Sequence, residues 1–109
     1  MLTPRGLSFI NDIMETRQTR EFADWLTGLR DRVAQSKIAR RILQIELGLM
    51  GDVKPLGAGV YEARIDFGPG YRLYYTRRGN VLIVLLVGGD KGSQRRDIAK
   101  ARALAEQIP

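Results

Sequence analysis

A chain of 109 residues, 44% apolar and 28% charged, has the size of one ordinary domain and enough apolar material to bury its own core. Eighteen Lys and Arg against twelve Asp and Glu leave a net charge of +6. This favours nucleic acid, an anionic membrane or an acidic protein as partner, beside the plain alternative of a solvated basic surface. The absence of cysteine and histidine excludes a disulfide framework, a thiolate metal site and the usual zinc ligand sets, and suits a cytoplasmic setting.

Residues 1–13 carry one arginine, scattered polar positions and no sustained apolar region, so they do not read as a secretory signal. They are expected to be a flexible extension or an upstream start, with a single domain over residues 14–109. Thr19 caps a first helix whose apolar positions Phe22, Trp25, Leu26 and Leu29 recur at helical spacing, with Glu21 in the first turn. Asp31 caps a second helix. There Val33, Ala34, Ile38, Ile42, Ile45 and Leu49 trace one stripe, and Gly48 and Gly51 terminate it. The short connection predicts an antiparallel helix hairpin joined to one core.

Beyond the loop Gly51–Gly59 the apolar period changes from helical to alternating. Ala63, Ile65 and Phe67 fall on one face of a strand, and Glu62, Arg64 and Asp66 on the other. Gly68, Pro69 and Gly70 then read as a three-residue connection, because glycine adopts positive φ and proline presets its own. Pairing Phe67 with Tyr71 would set Asp66 opposite Arg72, Arg64 opposite Tyr74 and Glu62 opposite Thr76. The hairpin thus has one apolar face and one face of arginine, tyrosine and carboxylate. Arg77 to Asn80 form the next turn, and Val81–Val87, apolar throughout, reads as a central strand too short to cross a bilayer as a helix. Gly88 to Ser93 read as a flexible loop bearing Lys91. A final helix from Ser93 or Gln94 to Gln107 buries Ile98, Ala101, Leu104 and Ala105.

Arg64, Arg72 and Lys91 are the leading site residues. Arginine offers a fixed fork of donors that matches phosphate and keeps its charge at any working pH, and Lys91 lies at the carboxyl end of the central strand. The plain alternative is that Arg64 pairs with Glu62 or Asp66 and decorates a solvated sheet face. Tyr74 is expected to share the face of the two arginines and to offer a ring for base stacking, whereas Tyr75, Trp25 and Phe22 read as core. Arg77, Arg78, Gln94 and Arg95 complete the expected RNA-binding set. The glycines of GPG and GGDKG lack nucleotide-loop spacing, and Asp66, Asp90 and Asp97 do not converge, so no metal site and no cofactor is assigned.

The segments RQTREFADWLTGLRD, KIARRI, GDVKPLGAGVYEARIDFGPGYRLYY and LLVGGDKGSQRRDIAKARALA resemble, in order and spacing, the RelE/ParE-type toxins of bacterial type II toxin-antitoxin modules. The nearest branch is the small HigB-like addiction module killer proteins, and the resemblance covers about residues 14–107. It implies an α+β fold in which two N-terminal helices pack on a small twisted antiparallel sheet, with a C-terminal helix. It also implies an mRNA interferase: a ribosome-dependent, metal-independent endoribonuclease that inhibits translation. The implied partners are a cognate helix-turn-helix antitoxin, mRNA on the ribosome, and operator DNA only through the toxin-antitoxin complex, with no membrane. ParE-like members instead inhibit DNA gyrase and cut nothing, and an inactive, regulatory member is a third reading.

By the same resemblance, Arg72 in the GYR motif matches the arginine that stabilises the transition state. Arg64 matches the basic position on the preceding strand, and Lys91 the basic loop position. The chain departs from the pattern at Glu62, where a second basic residue is usual, and at Asp97 or Ile98, where a tyrosine is usual. The implied reaction is attack of a 2′-hydroxyl on its own 3′-phosphate, with Lys91, Tyr74 and Asp66 as alternatives for proton removal.

Overall fold

The structure is a computed structural model and describes residues 14–109; the expected extension over residues 1–13 lies outside the described residues. The elements are β1 (Glu15–Gln18), α1 (Arg20–Gly28), α2 (Arg32–Glu46), β2 (Val53–Gly57), β3 (Val60–Ile65), β4 (Tyr71–Arg78), β5 (Leu82–Asp90), a 3₁₀ turn (Lys91–Ser93) and α3 (Gln94–Glu106). The strands form one sheet in the order β1-β5-β4-β3-β2. The expectation of two helices on a small antiparallel sheet is therefore corrected in two respects. The sheet is mixed, because β1 precedes the helices and runs parallel to β5. It is also central: α1 and α2 contribute to the core on one face, and α3 to a second core on the other.

The sequence ETRQ conceals β1 because an edge strand is held by backbone pairing and needs no apolar alternation. Glu15 pairs with Leu82 and Gln18 with Leu85, and the Thr19 amide continues the ladder to the Leu85 carbonyl at 2.9 Å. Thr19 then turns the chain into α1. Its hydroxyl accepts the Phe22 amide at 3.1 Å and donates to the Leu86 carbonyl at 2.7 Å, so one side chain caps the helix and ties it to the sheet.

Asp31 caps α2 by accepting the Val33 and Ala34 amides. The helix closes on Gly48 at φ 81°, with Gly48 donating to Ile45 and Leu49 to Gln44, the bonding of a Schellman end. Phe22, Ala34, Ile38, Ile42 and Ile45 meet Ala63, Leu73, Tyr75 and Leu85 from the sheet in the first core. Val33 and Leu49, expected in that stripe, are exposed instead.

Residues 51–59, read from sequence as a loop, contain β2. Pro55 is tolerated because β2 is an edge strand whose outer side needs no amide donor. Ala58 and Gly59, both at positive φ, return the chain into β3.

The β3–β4 register also differs from expectation. Ile65 pairs with Tyr71, so the connection spans residues 66–70, and Arg64 lies opposite Arg72 and Glu62 opposite Tyr74. The cause is local: the Phe67 amide bonds the Ile65 carbonyl and the Gly70 amide the Phe67 carbonyl, which draws Asp66 and Phe67 into the turn. A shift of this kind in steps of two leaves each side chain on its predicted face.

β5 extends two glycines beyond its apolar run. A Cβ on Gly88 would overlap the Trp25 ring, and one on Gly89 the Asp97 carboxylate, so these glycines permit close packing on both sheet faces. The expected flexible loop is instead a built turn. Asp90 accepts the Gly92 and Ser93 amides at 2.8 and 3.2 Å, while the Ser93 hydroxyl accepts the Asp90 amide at 3.2 Å. Among the described residues, no helix is long and apolar enough to cross a membrane.

Candidate functional site

The cross-strand pairing sets Arg64 and Arg72 directly opposite each other on the α3 face of the sheet. Like charges directly opposite destabilise a strand pair unless something neutralises them. Two carboxylates do so by drawing the arginines apart. Arg64 reaches outward to Asp52, the residue before β2, with Nη2 at 2.9 Å and Nε at 3.3 Å from the same Oδ1. Arg72 reaches inward to Glu62, with Nη1 3.5 Å from Oε1.

The two pairs differ in solvation. Arg64 and Asp52 are open to water, whereas the side chains of Arg72 and Glu62 retain only 13% and 1% of their exposure. Hydrogen bonding to Arg64 holds the Asp52 carboxyl below its usual range, and Asp52 raises Arg64 in turn.

Glu62 is held from a second side by α3, whose first residue, Gln94, donates from Nε2 to Oε2 at 2.8 Å. The Arg72 Nε is buried without a hydrogen-bond partner. Arg72 is thus fixed at one end by a buried carboxylate and has donor capacity to spare, which suits a cation that must be in place before an anion arrives.

A depression of about 310 Å³ opens here, lined by Asp52, Arg64, Asp66, Gly70, Arg72 and Lys91 among others. Lys91 reaches it because the 3₁₀ turn begins just past the strand end, where Tyr71 pairs with Asp90. The three leading sequence candidates therefore share one concavity, from three separate elements. Its lining carries three cations and two carboxylates, a net +1, with the Glu62 carboxylate behind Arg72. Asp66 is exposed, and no ion pair engages Lys91 among the described residues.

The expected RNA-binding residues fare differently. Tyr74 is completely buried in the second core and offers no ring for stacking, because α3 covers its part of the sheet face. Its hydroxyl lies near Glu62 without meeting hydrogen-bond geometry; burial first, and then that carboxylate, push its pKa well up. Neutral Tyr74 is no base at working pH.

Arg78 is committed to structure. Its Nε and Nη2 donate to the Pro109 and Ile108 carbonyls at 3.0 and 2.8 Å, tying β4 to the chain end after α3. Arg77 bonds Asn80 at 3.0 Å. Both belong to the far end of β4, about 17–20 Å from Arg72 at the usual strand rise. Gln94 serves Glu62, whereas Arg95 is exposed beside a separate groove along α3.

Sequence reasoning missed Asp52, because β2 was not foreseen as the neighbour of β3. It also missed the role of Glu62, whose position two residues from Arg64 on the same strand face was the available signal. The three aspartates weighed as metal ligands serve three tasks: Asp66 lines the depression, Asp90 caps the 3₁₀ turn, and Asp97 accepts from Ser93 at 2.5 Å.

No protein-family model matches the chain, and no solved structure does. A protein of Haemophilus influenzae, described as uncharacterized, is 40% identical over 95 residues, spanning 87% of this chain and 96% of its own length. At that identity and coverage the chain belongs to the same family as this Haemophilus influenzae protein.

Proposed function

We propose that the chain is the toxin of a type II toxin-antitoxin module and acts in the cytoplasm as a ribosome-dependent endoribonuclease. The observation that carries this reading is the meeting of Arg64, Arg72 and Lys91 in one depression beside the carboxylates Asp66 and Asp52. A phosphodiester seated there meets fixed cations. As the 2′-oxygen attacks its neighbouring phosphorus, negative charge grows on the non-bridging oxygens, and Arg72, held by Glu62, stabilises that charge more than the ground state.

Arg64 orients the phosphate and exchanges part of its bond to Asp52 for one to the ligand. Asp66, exposed at the rim, takes the 2′-hydroxyl proton, and the Lys91 ammonium donates one to the departing 5′-oxygen. The products are a 2′,3′-cyclic phosphate and a 5′-hydroxyl. A helix-turn-helix antitoxin encoded with the toxin silences it, and operator DNA is reached only through that complex.

The test is induced expression with mapping of RNA ends. Wild type is expected to arrest growth and leave 5′-hydroxyl ends within translated messages. Arg72→Ala strands the buried Glu62 carboxylate, so the informative variant is Arg72→Lys, which keeps the charge and loses the fork. Its cleavage should fall by roughly 10²-fold or more with the circular dichroism spectrum unchanged. Growth arrest with intact messages and gyrase-dependent DNA breaks would identify the ParE-like reading instead, and no arrest at all a regulatory member.

A further inference from the structure

Helix α2 has one apolar side packed in the core and, opposite it, a mixed side whose apolar residues meet no other described element. At about 100° per residue, Ala34, Ile38, Ile42 and Ile45 fill a sector roughly 80° wide that faces the first core. On the opposite side, a sector of similar width holds Val33, Ser36, Arg40, Leu43 and Leu47, the last being the residue that caps the helix.

The apolar members of that outer row are open to water: Val33 and Leu43 are 55% exposed and Leu47 50%. Leu49, just past the helix end, is 63% exposed. Val81 is the remaining large exposed apolar residue among those described, so three of five sit on one helix and its cap, with Leu49 just beyond. Scattered exposed leucines need no explanation; a concentration on one solvent face does.

The row recurs at 33, 36, 40, 43 and 47, alternate steps of three and four, which is the seam of a two-helix coiled coil. A strand or loop laid on the surface would not match that period. Charge narrows the choice of helix. Arg40 lies in the middle of the row, Arg32 and Lys37 flank it, and neither Arg32 nor Arg40 forms an ion pair among the described residues.

We propose that the outer face of α2 docks an amphipathic helix of another protein, one with apolar residues at heptad spacing, a carboxylate opposite Arg40 and acidic flanks. A second copy of this chain is the poorer occupant, since pairing α2 with itself sets a basic row against a basic row. The proposal concerns a surface on the α2 side of the sheet, away from the depression, and stands whether or not the chain cleaves RNA.

The experiment measures binding of two designed helical peptides by fluorescence anisotropy, each with leucine on its heptad seam, one flanked by glutamate and the other by lysine. The glutamate peptide is expected to bind in the low micromolar range and the lysine peptide at least tenfold more weakly. Leu43→Asp with Leu47→Asp should weaken the first by about thirty-fold or more while leaving the folded spectrum unchanged. Arg40→Glu should reverse the preference between the peptides, a result that unspecific apolar adhesion cannot give. Equal binding of both peptides, binding of neither, or self-association abolished by the paired leucine substitutions would overturn the proposal.

Discussion

The two faces of the sheet are built on different physics. On the α1–α2 face the core is built from aliphatic and aromatic side chains, from Phe22 and Ile38 to Leu73 and Leu85. On the α3 face the second core includes Tyr74 and Leu86, but beside it lies a polar set in which Glu62 and Asp97 are buried and Arg72 and Gln94 partly so. The first face stabilises by area and volume. The second contains charges whose removal from water is offset only while each keeps its partner, and that is the face on which the depression opens.

The largest expected effect belongs to the first face. Phe22→Ala removes a fully buried ring and should cost about 3–5 kcal/mol in urea unfolding, enough to unfold a marginal domain. Ile38→Val at the same interface should cost only about 0.5–1.5 kcal/mol, because loss on an apolar face is graded by volume. A steep loss for this small trim would mean that the face is specified by shape rather than by area.

On the second face the response should be set by pairing. Glu62→Leu leaves Arg72 without its buried counter-charge and should cost about 3 kcal/mol. Adding Arg72→Met to that variant should recover most of the loss, since an apolar pair of similar size is often at least as stable as a buried ion pair. The double variant would be folded and, on the proposed function, inactive. If it were no more stable than Glu62→Leu alone, the pair would have to be credited with stabilising the fold, and the contrast between the faces would fail.

The same contrast explains what could be read from sequence. The capped helices α1 and α2, the apolar face of the β3–β4 hairpin and the strand β5 follow from apolar period and end signals, so Thr19, Asp31 and Gly48 stand where those signals put them. The strands β1 and β2 were hidden because they are edges: ETRQ has no apolar rhythm, and Pro55 argues against any strand but an outer one. Residue order also carries no sign of which face α3 will cover. Alternation put Tyr74 beside Arg72 and Arg64 correctly, yet Tyr74 is core and Arg72 half-covered because a helix from the far end of the chain lies over them. Arg64, Arg72 and Lys91 were legible as a group because strand parity and the strand end bring them together even though the register was two residues out. Their carboxylate partners depended on that register and on β2.

Tyr74 gives a smaller and sharper test. Its hydroxyl is buried with no hydrogen-bond partner, so Tyr74→Phe should change stability by less than about 1 kcal/mol and in the favourable direction. Alkaline titration gives the complementary reading. The folded pKa of Tyr74 is raised above the ordinary value of 10.0, so its contribution is fully present below pH 10 and is lost as pH rises past that value towards the folded pKa. Unfolding scans of wild type should therefore show stability falling above pH 10 more steeply than those of Tyr74→Phe. Equal slopes would place the hydroxyl in water.

The smallest effect on stability is expected at Asp52, and it is the one that bears most directly on the depression. Its ion pair with Arg64 is solvated and screened, so Asp52→Asn should unfold at the same urea concentration as wild type. The change should appear in anion binding. The Asp52 pKa is lowered, so the carboxylate stays charged through neutral pH and is neutralised only as pH falls through that depressed value. Asp52→Asn makes the same change at neutral pH. It raises the lining from three cations against two carboxylates to three against one, and frees the Arg64 fork. Affinity for a short single-stranded RNA should rise, and its dependence on salt should steepen by about 0.7 in log–log slope for the one added effective contact. Because the fold of this variant is expected to be unchanged, unaltered affinity would mean that Arg64 remains committed elsewhere and that the anion is held by Arg72 and Lys91 alone.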